Sequence, residues 1–188
     1  MPISFRDAAD LEDLGLATFL RVERQARGST YLGALFTINA RGEPIELVYN
    51  AIETPHPLLW RPADLRRHAE RRLTTSLLSI AESEPLLLFC LSDEVSVELL
   101  TQDVEIDAPV GRVERPAHER GTNTDATDDS LPPVPSSVHV FWQTAPPSEG
   151  SPERVLYEQL SARGLLLEPF DRAADALREV YGARPVDT

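Results

Sequence analysis

Once Phe19 is passed, residues 15–25 alternate, with Leu20 and Val22 on one side and Arg21 and Glu23 on the other. That is the period of a half-buried strand. A more apolar strand is predicted over 30–40 (TYLGALFTINA) and a third over 45–53 (IELVYNAIE), with Ile45, Leu47 and Tyr49 sharing a side. The connections ARGS (26–29) and RGEP (41–44) are short, and the second carries the Gly and Pro of a tight turn. Three strands joined this way predict an antiparallel meander. A short, acid-rich helix is expected before them, over 5–13.

The pattern then changes period. TPHPLLWRP (54–62) opens with two X-Pro steps, which keep the backbone extended, and Pro62 suits the first turn of a helix. Leu65, Ala69, Leu73, Leu77 and Ile80 follow at helical spacing and form one apolar stripe. Next, PLLLFCL (85–91) is apolar without alternation, as expected of a strand covered on both faces. Residues 92–102 predict a helix capped by Ser92, and 104–115 a strand interrupted by Pro109. Residues 116–137 are polar, acidic and Pro-rich, the composition of a disordered loop or linker. A last strand (138–145) and two helices, one opened by Ser151 and Pro152, complete the chain.

This succession predicts an α/β protein. Its mixed sheet has an N-terminal three-stranded antiparallel meander, a long amphipathic helix, a buried strand and C-terminal helices. Residues 1–115 are expected to form the α/β core and 116–137 the linker. Residues 138–188 then belong to the same domain.

Composition adds constraints. The chain has 188 residues, 41% of them hydrophobic, and a formal net charge of −13. All 18 basic residues are Arg, so Arg is the default surface cation and its clusters say less about phosphate binding than usual. The acidic balance opposes nucleic acid at long range, leaving a local patch such as Arg67 and Arg71 on the long helix as its route. No apolar run approaches the ~20 residues of a membrane-spanning helix, and the N-terminal residues lack a signal pattern. A single cysteine, Cys90, excludes an internal disulfide. A cytoplasmic protein without a resident cofactor is the expectation.

The order of elements over roughly 15–115 resembles the RNase H-like fold of ribonucleases H, Piwi domains and several repair nucleases. The resemblance is one of topology. It implies acids on the first strand, the first long helix, the end of the fourth strand and a last helix, holding Mg²⁺ for hydrolysis. The candidates are Glu23, Glu70, Asp93 and Asp171. The family's Asp-Gly or Asp-x-Ser pattern on the first strand is absent here, and Glu23 stands between Arg21 and Arg24.

No other chemistry is spelled out. His56, His68, His118 and His139 have no ligand spacing, Cys90 sits in a buried run, and no phosphate loop or nucleophile elbow occurs. Trp60 in the proline-broken loop, with Leu58 and Leu59, either seals the helix to the sheet or anchors a partner, and sealing is the expectation. Trp142 offers a second aromatic anchor. Without a complete catalytic set, the sequence favours a non-catalytic accessory subunit of a bacterial protein assembly, in a DNA-processing or defence setting, with a protein partner. The alternative is a Mg²⁺-dependent nuclease of RNase H-like fold.

Overall fold

The computed structural model describes residues 14–25, 29–115, 138–143 and 145–182. The expected helix at 5–13 and the linker at 116–137 lie outside them. Strands β1 (Leu16–Arg24), β2 (Thr30–Asn39) and β3 (Pro44–Glu53) form the meander, followed by helix α1 (Pro62–Ile80). Strands β4 (Leu87–Leu91), β5 (Val110–Glu114) and β6 (His139–Trp142) come next, then helices α2 (Pro152–Ala162) and α3 (Glu168–Gly182). All six strands join one sheet in the order β3-β2-β1-β4-β5-β6. β1–β2, β2–β3 and β5–β6 pair antiparallel, whereas β4 runs parallel to both β1 and β5.

The turn before β3 shows how local chemistry sets the register. Asn39 Oδ1 accepts from the Arg41 and Glu43 N–H groups, and Gly42 closes the turn onto the Asn39 carbonyl at 2.9 Å. Gly42 takes φ 84°, a left-handed conformation that a side chain would oppose.

Strand parity divides the core into two layers. Leu20, Val22, Leu35, Leu88 and Cys90 face α1, where the stripe residues Leu65, Ala69, Leu73 and Leu77 are buried. Ala17, Phe19, Phe36 and Phe89 face the other side, against Leu156 and Leu160 of α2 and Phe170 of α3. Phe19 stacks on Phe89 at 5.3 Å and meets Phe170 edge-on at 5.2 Å. Each such fully buried side chain contributes about 1.5–3 kcal/mol. Every residue of β4 is buried, as its unbroken apolar run predicts for a strand with a layer on each face.

Several expectations change. Residues 92–102 do not form a capped α-helix: turns lead into a single π-helical turn at Leu99–Asp103, closed by Val104 N–H to Leu99 O at 2.8 Å. The strand expected over 104–115 is confined to Val110–Glu114, beginning just after Pro109. Ile80 ends α1 half-exposed, and Leu78 and Ala81 beside it pack against the core instead. Trp60 does not seal helix to sheet. Leu58 and Leu59 are 82% and 90% exposed on a 3-10 turn, and Trp60 lies against His68 at 4.9 Å. The seal is made by Ala69, Leu73 and Leu77 instead. Among the described residues no helix is long and apolar enough to cross a membrane.

Candidate functional site

β1 and β4 lie side by side and parallel, with Ala17 opposite Leu87 and Leu20 opposite Cys90, so both end at the same edge of the sheet. From there β1 continues into β2 on one side and β4 into β5 on the other. Ligands of open α/β sheets bind in the crevice at such a divergence, outside the carboxyl ends of the strands. Here it holds an open cleft of about 690 Å³, walled by residues 21–24 of β1, Asp93 and Glu94 after β4, and Pro62, Ala63 and Arg66 at the start of α1.

Arg21 organises the cleft. Its Nη2 lies 2.5 Å from Glu23 Oε1 and 3.2 Å from Glu94 Oε1, and its Nη1 donates to the Phe170 carbonyl at 3.3 Å. Glu94 Oε2 accepts from the Val22 N–H at 3.4 Å. Burial pushes the Glu94 carboxyl up to about 7; Arg21 and the Val22 N–H oppose that rise, while the negative charges of Glu23 and Asp93 add to it. A carboxyl group that titrates near neutrality in a cleft is suited to taking or giving a proton. Arg24 is exposed beside it.

Of the four acids singled out in the sequence, Glu23 and Asp93 line this cleft. Glu70 is fully buried and faces elsewhere: Arg66 Nε donates to its Oε1 at 2.5 Å, and Ser96 donates N–H and Oγ–H to its Oε2 at 3.0 and 2.5 Å. Asp171 is 63% exposed on α3 and pairs with Arg115 at 3.3 Å, away from the cleft lining. Parity explains why Glu23 and Glu70 do not meet. Odd positions of β1 point toward α2 and α3 and even ones toward α1, so Glu23 lies on the face away from the helix that carries Glu70.

The remaining candidates sit apart. Arg67 forms a two-pronged bond to Asp103 at 2.6 and 2.7 Å, and Arg71 is exposed on the same helix. Trp142 packs at 6.1 Å from Phe89 and 5.3 Å from Tyr157. Glu94 and Arg21 were missed as site residues. Glu94 is adjacent to Asp93 in SDEV, and the turn after β4 brings both to the cleft, with Glu94 the one bonded to Arg21 and the Val22 N–H.

The acids implied for Mg²⁺ do not fit that ion. Mg²⁺ needs free carboxylate oxygens around a hydrated position. Here Arg21 holds Glu23, both Glu70 oxygens are occupied and Asp171 lies outside the cleft lining, which leaves Asp93 as the remaining implied acid in the cleft. Among the described residues no group of three or more His, Cys, Asp or Glu is arranged to hold a metal.

No protein-family model matches the chain, and no curated protein matches it in sequence. Solved structures do match in fold. Endonuclease V from Streptomyces avermitilis superposes with a TM-score of 0.53 at 12% identity, covering 89% of this chain and 82% of that one. The catalytic domain of human Endonuclease V matches at TM-score 0.40 and 13% identity over 60% of this chain and 51% of that one. Marinitoga piezophila Argonaute in complex with 5′ OH guide RNA matches at 0.37 and 14%, over 81% and 26%. The chain thus has the RNase H-like topology that the order of elements implies. The expectation of a non-catalytic accessory subunit is corrected: the fold match is to Endonuclease V, which favours the nuclease alternative.

Proposed function

We propose that this chain is a nuclease that hydrolyses a nucleic-acid phosphodiester in the cleft at the ends of β1 and β4. The observation that carries the reading is Glu94: a mostly buried carboxyl that titrates near neutrality, beside the Arg21 guanidinium, in the crevice of an RNase H-like sheet. In this reading Glu94 in its ionised form takes a proton from water. The hydroxide formed attacks phosphorus, the bond to the leaving oxygen breaks, and that oxygen takes a proton from solvent. Arg21 and Arg24 supply positive charge to the phosphoryl oxygens. Arg21 replaces carboxylate-bound metal as the charge at the centre of the cleft, because it already neutralises the acids that a metal would need.

The local basic groups answer the objection of net charge. Arg21, Arg24 and Arg66 stand on the wall of one cleft, and binding through them is expected to weaken as salt rises.

The test incubates the purified chain with end-labelled single- and double-stranded DNA and RNA, in Mg²⁺, in Mn²⁺ and in EDTA, beside Glu94→Gln. The expected result is cleavage that EDTA leaves intact and that Glu94→Gln abolishes. Absence of cleavage on every substrate, or full activity of the variant, overturns the reading. Cleavage that depends on Mg²⁺ and survives Glu94→Gln returns the chemistry to a carboxylate–metal site.

A further inference from the structure

A second hollow, of about 420 Å³, adjoins the cleft and shares Ala63, Arg66 and Asp93 with its wall. Arg112 of β5 lines it at only 8% exposure. Its Nη2 donates to the carbonyls of Ser92 and Val95 at 2.8 and 2.7 Å, which anchors the guanidinium under the loop after β4. Its Nη1 has no hydrogen-bond partner, and neither has the Ser92 hydroxyl, although both atoms are buried. Among the described residues no carboxylate forms an ion pair with Arg112, unlike the other cations around the two hollows: Arg21 pairs with Glu23, Arg66 with Glu70 and Arg67 with Asp103.

A buried donor left unpaired is costly, and Arg112 and Ser92, which carry these two orphans, both line this hollow, where a shared acceptor would satisfy them. Nη2 is already spent on backbone carbonyls, so Arg112 has no free fork for a planar carboxylate. What remains are the two N–H groups of Nη1 and one hydroxyl, which suit separate oxygens of a tetrahedral anion. Arg66 and Arg67 stand on the rim and favour an anion; the exposed acids Asp64, Asp93 and Glu98 on the same rim oppose one. The acids outnumber the cations there, and Arg66 and Arg67 are already paired, so attraction of an anion falls to the floor.

We propose that Arg112 and Ser92 form a phosphate subsite that holds a backbone phosphate of a nucleic-acid strand, next to the phosphate in the cleft. The shared wall lets one strand pass through both hollows. Its assignment to nucleic acid rests on the nuclease reading; the binding of phosphate does not.

The experiment uses the full chain, with inorganic phosphate as one probe and a single-stranded oligonucleotide bearing phosphorothioate linkages that resist cleavage as the other. Phosphate is expected to raise the melting temperature of the wild type, with stabilisation that grows as the logarithm of its concentration once the site is filled. Ser92→Ala, which keeps the Arg112 anchor on the Ser92 carbonyl, is expected to weaken phosphate and oligonucleotide binding by about tenfold, the loss of one hydrogen bond to a charged group. Arg112→Gln is expected to abolish the phosphate response; if it fails to fold, Ser92→Ala alone decides. Absence of phosphate stabilisation in the wild type overturns the subsite and assigns the orphan donors to buried water. Equal phosphate affinity in wild type and Ser92→Ala overturns it as well. Loss of phosphate binding with unchanged oligonucleotide binding overturns the nucleic-acid assignment and leaves a site for free phosphate. Cleavage is scored separately, so a chain that binds phosphate through Ser92 but cuts nothing sinks the nuclease reading and spares the subsite.

Discussion

Replacing Glu94 by Gln removes one ionisable group and keeps its shape, and the consequence can be worked out in advance. In the folded chain the Glu94 carboxyl is pushed up to about 7, from an ordinary 4.5. Between those two pH values the folded state binds more protons than the unfolded chain, so this group makes stability fall as pH rises. Below 4.5 both states are protonated and the effect is absent; above 7 it is complete. At about 1.4 kcal/mol per tenfold change in proton affinity, the full displacement corresponds to about 3 kcal/mol, an upper figure. Gln imitates the protonated acid and still accepts from the Val22 N–H, while Arg21 retains Glu23. The variant is therefore expected to match the wild type near pH 4 and to be more stable at pH 8, by 1 to about 3 kcal/mol. Urea unfolding of both proteins at pH 4.5, 6 and 8 measures this, and taking the difference cancels the other carboxylates. A difference that stays flat with pH, or a variant less stable at pH 8, refutes the placement of Glu94. The same titration predicts that wild-type cleavage rises through pH 7 as Glu94 ionises.

Other outcomes follow from the packing. A Cβ at Gly33 would stand 2.7 Å from Leu73 Cδ2 and 3.0 Å from Leu77 Cδ1, so Gly33→Ala forces the buried Leu73 side chain, or α1 with it, to shift. It is expected to cost about 1–3 kcal/mol by chemical denaturation, and a cycle with Leu73→Ala should show strong coupling; additive effects contradict the contact. Burial pushes the Cys90 thiol up to about 12. A thiol reagent at pH 8 should label the protein only in denaturant, and rapid labelling of the native chain would place Cys90 outside the core.

The elements were legible where their chemistry is local. Asn39 and Gly42 set the turn into β3, and the four-residue spacing of Leu65, Ala69, Leu73 and Leu77 set the buried face of α1. The unbroken apolar run announced β4 as a strand with a layer on each face. Trp60 shows the limit of such reasoning: apolarity predicted burial, yet α1 had already filled the space against the sheet.

The candidate site was legible only in pieces. Glu23 and Asp93 were found because they flank strand ends, while Arg21, Glu94 and Arg112 looked like ordinary surface charges. Arg112 became a buried cation once β5 lay parallel to β4, beneath the loop that starts at Ser92. Glu70 stood at the expected place on the helix, but its carboxylate is taken up by Arg66 and Ser96. Hydrophobic period and turn residues act between neighbours in sequence, so the chain by itself determined its elements and their order. Which charges share a cleft depends on strand parity and on pairing between segments tens of residues apart. Those relations are settled by packing the whole sheet, and only the tertiary structure decided them.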